Sequence, residues 1–217
     1  GEIGDIIAAN CYWNTGQVWY KTRRKEWSDM EYMIRNWNNF CWLSGDHILD
    51  QGVHNIDVIN WFKGWKFPKS ANGNGSRQRR ITGDQYDNFS IDYIYEGDVH
   101  MNAMFRQIDG CSNKVGEYVR GTKGYSNCHS FTAKHDGQAM WTYKKPENNE
   151  GENKVNSPYL QEHIHLVTAI RRNEPVNHAE LTAKSTLTAI MGRIAAYSGK
   201  EVTWEEMMKS NLRLGPE

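Results

Sequence analysis

The chain has 217 residues, with 26 basic and 26 acidic side chains and therefore no net formal charge. Because 38% of the residues are hydrophobic and only 24% are charged, the chain can bury a core, and we exclude intrinsic disorder. The balanced charge gives no electrostatic reason to expect nucleic acid or a membrane as a partner, and no apolar run reaches the roughly 18 residues of a membrane span.

The first half of the chain is predicted to hold a strand, a long loop and a strong helix. Residues 5–13 are rich in Ile, Ala and aromatic side chains and predict a strand. Residues 14–39 have no clear period and predict an ordered loop, with a short helix over 28–36. Residues 44–62 carry apolar side chains at helical spacing and predict a helix that Gly64 ends.

The middle of the chain is predicted to form strands. Apolar and polar residues alternate over 89–95 and again over 99–105, and an EGD turn between them indicates a hairpin. Further strands are predicted over 114–120 and 141–144. Gly73-Asn74-Gly75 is interpreted as a turn, since no helix follows that would bind phosphate at its N-terminus.

The last third is predicted to begin with a polar surface loop over 147–156. Helices are predicted over 159–172, 179–198 and 204–209. Because the strands are central and helices lie at both ends, we expect one α+β domain over residues 1–217, with a predominantly antiparallel sheet open on one face. No Gly-rich turn joins a strand to a helix, so the chain is expected to contain no dinucleotide-binding fold.

The four cysteines do not indicate a metal or redox motif. No CxxC pair occurs among them, which excludes a zinc knuckle and a thioredoxin-like motif. Free cysteines are usually buried, and disulfides are also an option if the compartment is oxidising. The sequence therefore predicts no metal site among the cysteines, which are Cys11, Cys41, Cys111 and Cys128.

One edge of the predicted 44–62 helix carries the residues with the clearest chemistry. Asp50 and His54 are i,i+4 neighbours, and Asp46 and Asp57 are predicted to share their stripe. A carboxylate that orients an imidazole suits a proton acceptor. A solvated polar face and a metal-binding pair are the alternatives.

Gly52 lies inside the same predicted helix, where glycine costs about 1 kcal/mol relative to alanine. We therefore expect another group to approach its backbone closely.

The segment 44–57, which reads SGDHILDQGVHNID, resembles the G-G-x-x-x-x-D-x-G-x-H-x-x-D signature of the Gfo/Idh/MocA oxidoreductases. Gly4-Asp5-Ile6 resembles the start of that family's C-terminal sheet, and residues 119–124 resemble one of its strands and the turn that follows. Residues 162–197 resemble its two closing helices. Residues 19–37 further resemble a bacterial branch whose members often carry export signals.

The resemblance implies the C-terminal half of a two-domain dehydrogenase. That half has a mixed sheet with helices packed on one face, like the C-terminal domain of glyceraldehyde-3-phosphate dehydrogenase. An N-terminal Rossmann domain, outside this sequence, would bind most of the NAD or NADP and supply a catalytic lysine. The substrate would be a sugar, cyclitol or glycoside, and this half alone is expected to be inactive. A periplasmic and a cytoplasmic location in a bacterium both remain open.

By motif position, the resemblance implies that His54 is the general acid/base and that Asp50 tunes it and binds substrate. Asp57 would support substrate binding, and Gly52 would contact the cofactor. Asp46 and His47 follow Gly45 in this sequence and are added as candidate substrate ligands.

The loop before the helix holds a second set of candidates. Trp19, Arg23 and Arg35 are expected to bind substrate, because arginine donates paired hydrogen bonds and tryptophan offers a stacking face. The alternative is a loop that cation–π contacts hold in place.

Three functions remain open at this point. The first is the substrate and assembly domain of an NAD(P)-dependent sugar oxidoreductase that forms a homo-oligomer through the open sheet face. The second is a non-catalytic assembly module that uses the same face. The third is a domain of an NAD-dependent, redox-assisted glycosidase.

Overall fold

The computed structural model describes residues 1–144, 157–213 and 215. In this part of the chain nine strands form one sheet. They are β1 Ile6–Thr15, β2 Ser70–Ser76, β3 Asn88–Tyr95, β4 Val99–Gln107, β5 Lys114–Gly121, β6 Gly124–Ser126, β7 Phe131–Lys134, β8 Ala139–Thr142 and β9 Val202–Thr203.

The strand order is β8-β7-β6-β5-β1-β4-β3-β2-β9. β1 runs parallel to β4, and every other pair described is antiparallel. In the centre of the sheet Cys11 lies between Ala103 of β4 and Glu117 of β5. The predicted α+β fold with a mixed, mainly antiparallel sheet is therefore confirmed, as is the β3–β4 hairpin.

Six α-helices are described, and two of them cover one face of the sheet. They are α1 Asp29–Arg35, α2 Cys41–Ser44, α3 Val53–Phe62, α4 Pro158–Arg172, α5 Ala179–Ser198 and α6 Trp204–Lys209. α5 packs on β2 and β3, while α3 packs on β1 and β5. The core between these helices and the sheet contains fully buried side chains that include Cys11, Ile56, Ile59, Tyr93, Met101 and Met191.

The predicted helix over 44–62 is wrong at its start, where the chain turns twice. α2 ends at Gly45, whose φ is +80°, and Asp46 follows with φ +106°. A π-helical turn, Ile48–Gly52, then leads into α3. The Asp46 carboxylate accepts a hydrogen bond from the backbone N–H of His47 at 2.8 Å. Such a local bond competes with helix formation and explains the break.

The interpretation of Gly73-Asn74-Gly75 as a turn is also wrong, because these residues lie inside β2 and pair with β3. A Cβ on Gly73 would come within 2.6 Å of the Ser90 carbonyl oxygen, so the glycine permits close strand packing. The short elements α2, β6, β7 and β9 were not predicted. The predicted loop over 147–156 falls outside the described residues.

α4 matches its predicted position but packs differently from α5. Ala169 is its buried residue, whereas Tyr159 is 80% exposed and Ile170 is 69% exposed. Further exposed apolar side chains lie on the same helix, namely Leu160, Ile164, Leu166 and Val167. At helical spacing these residues form one broad apolar stripe that the described part of the chain leaves uncovered.

Candidate functional site

His54 lies at the edge of a cleft between α3 and the β1–β5 pair. The cleft has a volume of about 540 Å³. His54 is exposed, and its ring centroid lies 6.0 Å from that of Trp13 on β1. Trp61, two turns further along α3, is 60% exposed and lines the same cleft. An imidazole and two indole rings thus line a space large enough for a small ligand.

Backbone register places the other wall of the cleft. Val115 of β5 pairs with Trp13, and Glu117 pairs with Cys11, so β5 presents alternate side chains toward α3. The turn between β6 and β7 adds Cys128 and His129. The cleft therefore combines aromatic, acidic and imidazole groups from three separate parts of the chain.

Glu117 and Asn55 form a hydrogen-bonded pair in this cleft. Asn55 is 2% exposed, and its Nδ2 donates to Glu117 Oε1. The Asn55 Oδ1 is buried and has no hydrogen-bond partner in the described structure. Burial and, secondarily, the charge of Glu117 raise the pKa of the Cys128 thiol to about 12. The cleft therefore holds a neutral thiol, a carboxylate and an amide with an unused acceptor.

Glu117, Asn55 and Trp13 were not among the site residues predicted from the sequence. A signal for Glu117 was present, because it occupies an inward-facing strand position between Val115 and Val119, where an apolar residue is expected. Asn55 and Trp13 had no comparable signal, since their position depends on how α3 crosses the sheet.

Asp50 and Asp57 lie on either side of His54 along the chain. Asp50 belongs to the π-helical turn, is partly buried, and accepts a hydrogen bond from Gln51 Nε2 at 3.1 Å. Among the described residues no ion pair joins Asp50 to His54, and Asp57 has neither a hydrogen bond nor an ion pair. Both carboxylates retain free acceptor capacity.

Asp46 is not on the polar stripe where the sequence predicted it. It is fully buried, and its Oδ2 accepts hydrogen bonds from Tyr197 Oη at 2.5 Å and from Arg193 Nε at 3.2 Å. Burial raises the pKa of Asp46, and the bonds from Tyr197 and Arg193 oppose that shift. The expectation that Asp46 contacts substrate is therefore corrected, because the carboxylate joins the π-turn region to α5 inside the protein.

His47 is likewise an interior residue and not a substrate ligand. It is 1% exposed, and its ring centroid lies 6.3 Å from Phe105 and 6.5 Å from Phe89. Neither ring nitrogen makes a hydrogen bond of normal geometry in the described structure, although the Trp13 backbone is near enough to affect the ring. Burial first, and then the charge of Arg80, lowers the pKa of His47 to about 3.

Gly52 has the close contact that its sequence position suggested, but the contact is with the core. A Cβ on Gly52 would meet the Phe105 ring at 2.9 Å, and the glycine is buried. The close approach expected at Gly52 is therefore made by this ring, and the contact with a cofactor stays a prediction.

Trp19, Arg23 and Arg35 lie away from the His54 cleft. Arg23 and Arg35 line a separate pocket of about 440 Å³ with Lys21, Thr22, Arg24 and Trp27. This pocket and the His54 cleft share no lining residue. Trp19 is 50% exposed on the same loop, under the Lys21 ammonium group.

Within residues 1–144, 157–213 and 215, no group of three or more His, Cys, Asp or Glu side chains is arranged to hold a metal ion. No helix in this part of the chain is both long enough and apolar enough to cross a membrane.

No protein-family model matches the chain, and no curated protein matches it. Solved structures do match. Aldose-aldose oxidoreductase from Caulobacter crescentus, complexed with glycerol, superposes with a TM-score of 0.65 at 16% identity over 94% of this chain. Scyllo-inositol dehydrogenase from Lactobacillus casei, with bound NAD(H) and scyllo-inositol, gives a TM-score of 0.58 at 19% identity over 94% of this chain.

A third similar structure is a super-repressor mutant of Gal80p from Saccharomyces cerevisiae, with a TM-score of 0.63 at 10% identity over 98% of this chain. The chain spans 57%, 58% and 61% of the lengths of these three proteins, respectively. Identities this low establish the fold. The chain has the fold of the C-terminal domain of Gfo/Idh/MocA-type oxidoreductases.

Proposed function

We propose that this chain is the substrate-binding and assembly domain of an oxidoreductase that uses NAD or NADP to act on a hydroxyl group of a sugar, cyclitol or glycoside. The observation that carries the proposal is the exposed His54 imidazole at the edge of a cleft lined by Trp13 and Trp61. Indole rings offer flat apolar faces for the C–H side of a sugar ring. The fold of sugar and inositol oxidoreductases supports the same assignment.

His54 is the proposed general acid/base of the reaction. Oxidation of a hydroxyl-bearing carbon releases the hydroxyl proton, and an exposed imidazole is suited to accept it. Asp50 and Asp57 retain free carboxylate oxygens and are proposed to orient neighbouring hydroxyl groups. Glu117, which Asn55 Nδ2 holds in place, offers a further acceptor in the cleft.

The described residues do not form a dinucleotide cradle. Among them no Gly-rich turn joins a strand to a helix N-terminus, and the backbone of Gly52 is covered by Phe105. Hydride transfer is the chemistry that a bound nicotinamide supplies. We therefore assign cofactor binding to a separate N-terminal Rossmann domain of the same protein, and this chain alone is expected to be inactive.

The apolar stripe of α4 supports a partner domain of this kind. Ile170 and Tyr159 are among the most exposed apolar side chains described, and a stripe this wide is unfavourable in water. The similar structures are longer than this chain, so they contain protein that it lacks. We propose that the upstream domain covers α4. A second copy of the chain is the competing occupant.

Self-association is proposed to use the open face of the sheet. The ring centroids of Tyr12 and Tyr118 lie 6.0 Å apart on this face, and the Lys114 Nζ lies 3.8 Å from the ring centroid of Tyr12. Met104 is 47% exposed in β4, which pairs with β1. Sedimentation analysis of Tyr118→Glu and wild type tests this assignment, and an unchanged mass would assign assembly to another surface.

The proposed function is tested by expressing the protein with its natural upstream sequence and assaying reduction of NAD and NADP with a panel of sugars and cyclitols. We expect turnover with the complete protein and none with residues 1–217 alone. Product analysis separates a dehydrogenase, which releases a ketone or lactone, from a redox-assisted glycosidase, which releases a cleaved sugar. Lack of any turnover or cofactor binding in the complete protein would instead favour a non-catalytic module.

A further inference from the structure

The loop between β1 and α1 arranges several cations around two aromatic rings. The guanidinium groups of Arg24 and Arg35 lie 5.4 Å and 4.8 Å from the centroid of the Trp27 ring. Arg23 lies 5.4 Å from the centroid of Tyr32. A guanidinium group over an aromatic face can still donate hydrogen bonds from its N–H edges. Arg35 uses its Nε for Glu31, and Arg23 uses its Nη2 for Asp29 and the Trp27 carbonyl.

This pocket keeps an excess of positive charge. Arg23 pairs with Asp29 at 2.5 Å, and Arg35 pairs with Glu31 at 2.8 Å. Arg24 also lines the pocket but has no carboxylate partner in the part of the chain that the structure describes. The pocket is lined by the cations Lys21, Arg23, Arg24 and Arg35, and no acidic side chain lines it.

Buried asparagines fix the shape of the loop. Asn36, which is fully buried, accepts a hydrogen bond from the Lys21 backbone N–H at 2.6 Å and donates to the Lys21 carbonyl at 3.2 Å. Asn39, also fully buried, donates to the Trp19 carbonyl at 3.2 Å. These bonds hold the backbone of the loop, and Arg24 is left without a carboxylate partner in the described part of the chain. Such preorganisation lowers the entropy cost of binding a ligand.

We propose that this pocket, called here the arginine pocket and comprising Lys21, Arg23, Arg24, Trp27 and Arg35, binds the oxyanion of an acidic sugar, meaning a sugar that carries a carboxylate or sulfate group. Arg24, which has no carboxylate partner among the described residues, supplies paired donors that match a planar or tetrahedral oxyanion, and Arg35 adds the N–H groups that Glu31 leaves free.

The sugar ring would pack on the exposed rings of the same loop. Trp19 is 50% exposed and Tyr20 is 41% exposed, and an indole or phenol ring accepts the apolar side of a pyranose. The sugar part of this inference rests on the proposed function, whereas the anion part rests on the loop alone.

The test measures binding of four compounds to residues 1–217 by NMR titration at constant ionic strength, without any cofactor. The compounds are methyl glucuronide, glucose 6-sulfate, methyl glucoside and acetate. We expect one or both acidic sugars to bind at least about tenfold more tightly than methyl glucoside and acetate, since charge-assisted hydrogen bonds are among the stronger polar contacts. Preference between the two acidic sugars identifies the oxyanion.

Arg24→Gln and Arg35→Gln are each expected to weaken binding of the acidic sugar about tenfold, because each removes a charged donor. Trp27→Leu should weaken it as well, and Trp27→Phe should restore most of the loss, because a ring face again supports the guanidinium groups. Arg120→Gln is the matched control, since Arg120 is exposed on β5, away from the loop.

Equal binding of acidic and neutral sugars, or binding that survives both arginine substitutions, would overturn the inference. Acetate that binds as tightly as the acidic sugars would overturn its sugar part. Because no turnover is measured, failure of the proposed oxidoreductase function would appear only in the cofactor assay of the complete protein.

Discussion

The Nε of Arg193 lies 3.2 Å from the Oδ2 of Asp46, and this buried ion pair joins the chain before α3 to the C-terminal half of α5. Tyr197, one turn further along α5, donates its hydroxyl to the same oxygen. Burial raises the pKa of Asp46. Burial also acts to lower the pKa of Arg193, but the neighbouring Cys41 and Asp46 outweigh this effect, and the pKa of Arg193 is raised. Burial of the charged carboxylate is thus costly, and its hydrogen-bond and ion-pair partners offset part of that cost.

Asp46→Ala is expected to lower the free energy of unfolding by about 3–5 kcal/mol, because it leaves the Arg193 guanidinium buried and unpaired. Asp46→Asn should cost less, since asparagine tolerates the positive φ of this position and still accepts hydrogen bonds. Urea unfolding measures both changes, with Asp50→Ala as a control at a partly exposed site. Equal losses for the alanine and asparagine variants would contradict this account.

Stability is expected to fall as the pH drops below about 6.5, in part because of His47. Burial lowers the pKa of His47 to about 3, so the ring stays neutral in the folded protein while the unfolded chain takes up a proton below about 6.5. The contribution of the neutral His47 ring to the free energy of unfolding is fully present above pH 6.5. It is lost as the pH falls toward 3, by roughly 1.4 kcal/mol for each pH unit.

Unfolding free energies of wild type and His47→Leu at pH 7, 6, 5 and 4 test this. Leucine cannot titrate and suits the apolar contacts with Phe89 and Phe105, so the variant should lose less stability as the pH falls. His135→Gln, at an exposed position, should keep the wild-type slope. Parallel curves for wild type and His47→Leu would show that His47 does not carry the effect.

Much of the fold could be predicted from the sequence, because the secondary structure that each segment favours locally is also the one that it adopts in the folded chain. Alternating residues predicted β3 and β4, Ser28 predicted the start of α1, and Pro158 predicted the start of α4. In the structure Ser28 and Ser157 accept hydrogen bonds as the N-caps of these two helices. β2 could not be predicted, since its glycines are explained only by the neighbouring strand at Ser90.

The candidate site was less predictable, because it depends on how elements cross. Helical spacing placed Asp46 beside His54, but the positive φ values at Gly45 and Asp46 turn that carboxylate into the core. Glu117 is 62 residues from Asn55 in the chain, and only the packing of α3 on β5 brings them together. Spacing along one helix could not reveal either fact.

Gly52→Ala is expected to destabilise the chain by about 1–3 kcal/mol, because the added methyl group would meet the Phe105 ring at 2.9 Å. The loss should shrink when Phe105→Leu is combined with it, since the smaller side chain makes room. A double-mutant cycle from urea unfolding gives the coupling free energy between the two substitutions. Additive losses would show that the ring contact is not the cause.

Ile170→Glu is expected to affect the complete protein much more than the isolated chain. The side chain is 69% exposed in this structure, so the free energy of unfolding of residues 1–217 should change little, within about 0.5 kcal/mol. If the upstream domain covers α4, the same change buries a charge there and lowers the melting temperature of the complete protein. Equal effects in both proteins would contradict the proposed contact.

His54→Ala in the complete protein is expected to lower kcat by about 10²–10⁴-fold, the usual contribution of a general acid/base, while the melting temperature stays unchanged because the side chain is exposed. His54→Gln should be equally slow, since glutamine donates and accepts hydrogen bonds but cannot carry the proton.

Glu117→Gln separates positioning from proton transfer in the same cleft. Glutamine keeps an acceptor for Asn55 Nδ2 but removes the negative charge, so we expect KM to rise and kcat to fall far less than in His54→Ala. The pKa of Cys128 should also fall, because the charge of Glu117 contributes to raising it, and thiol titration measures that change without any substrate. A lower Cys128 pKa with unchanged kinetics would leave Glu117 as part of the cleft wall and outside the reaction. A kcat loss equal to that of His54→Ala would instead move the proton-handling role toward the carboxylate.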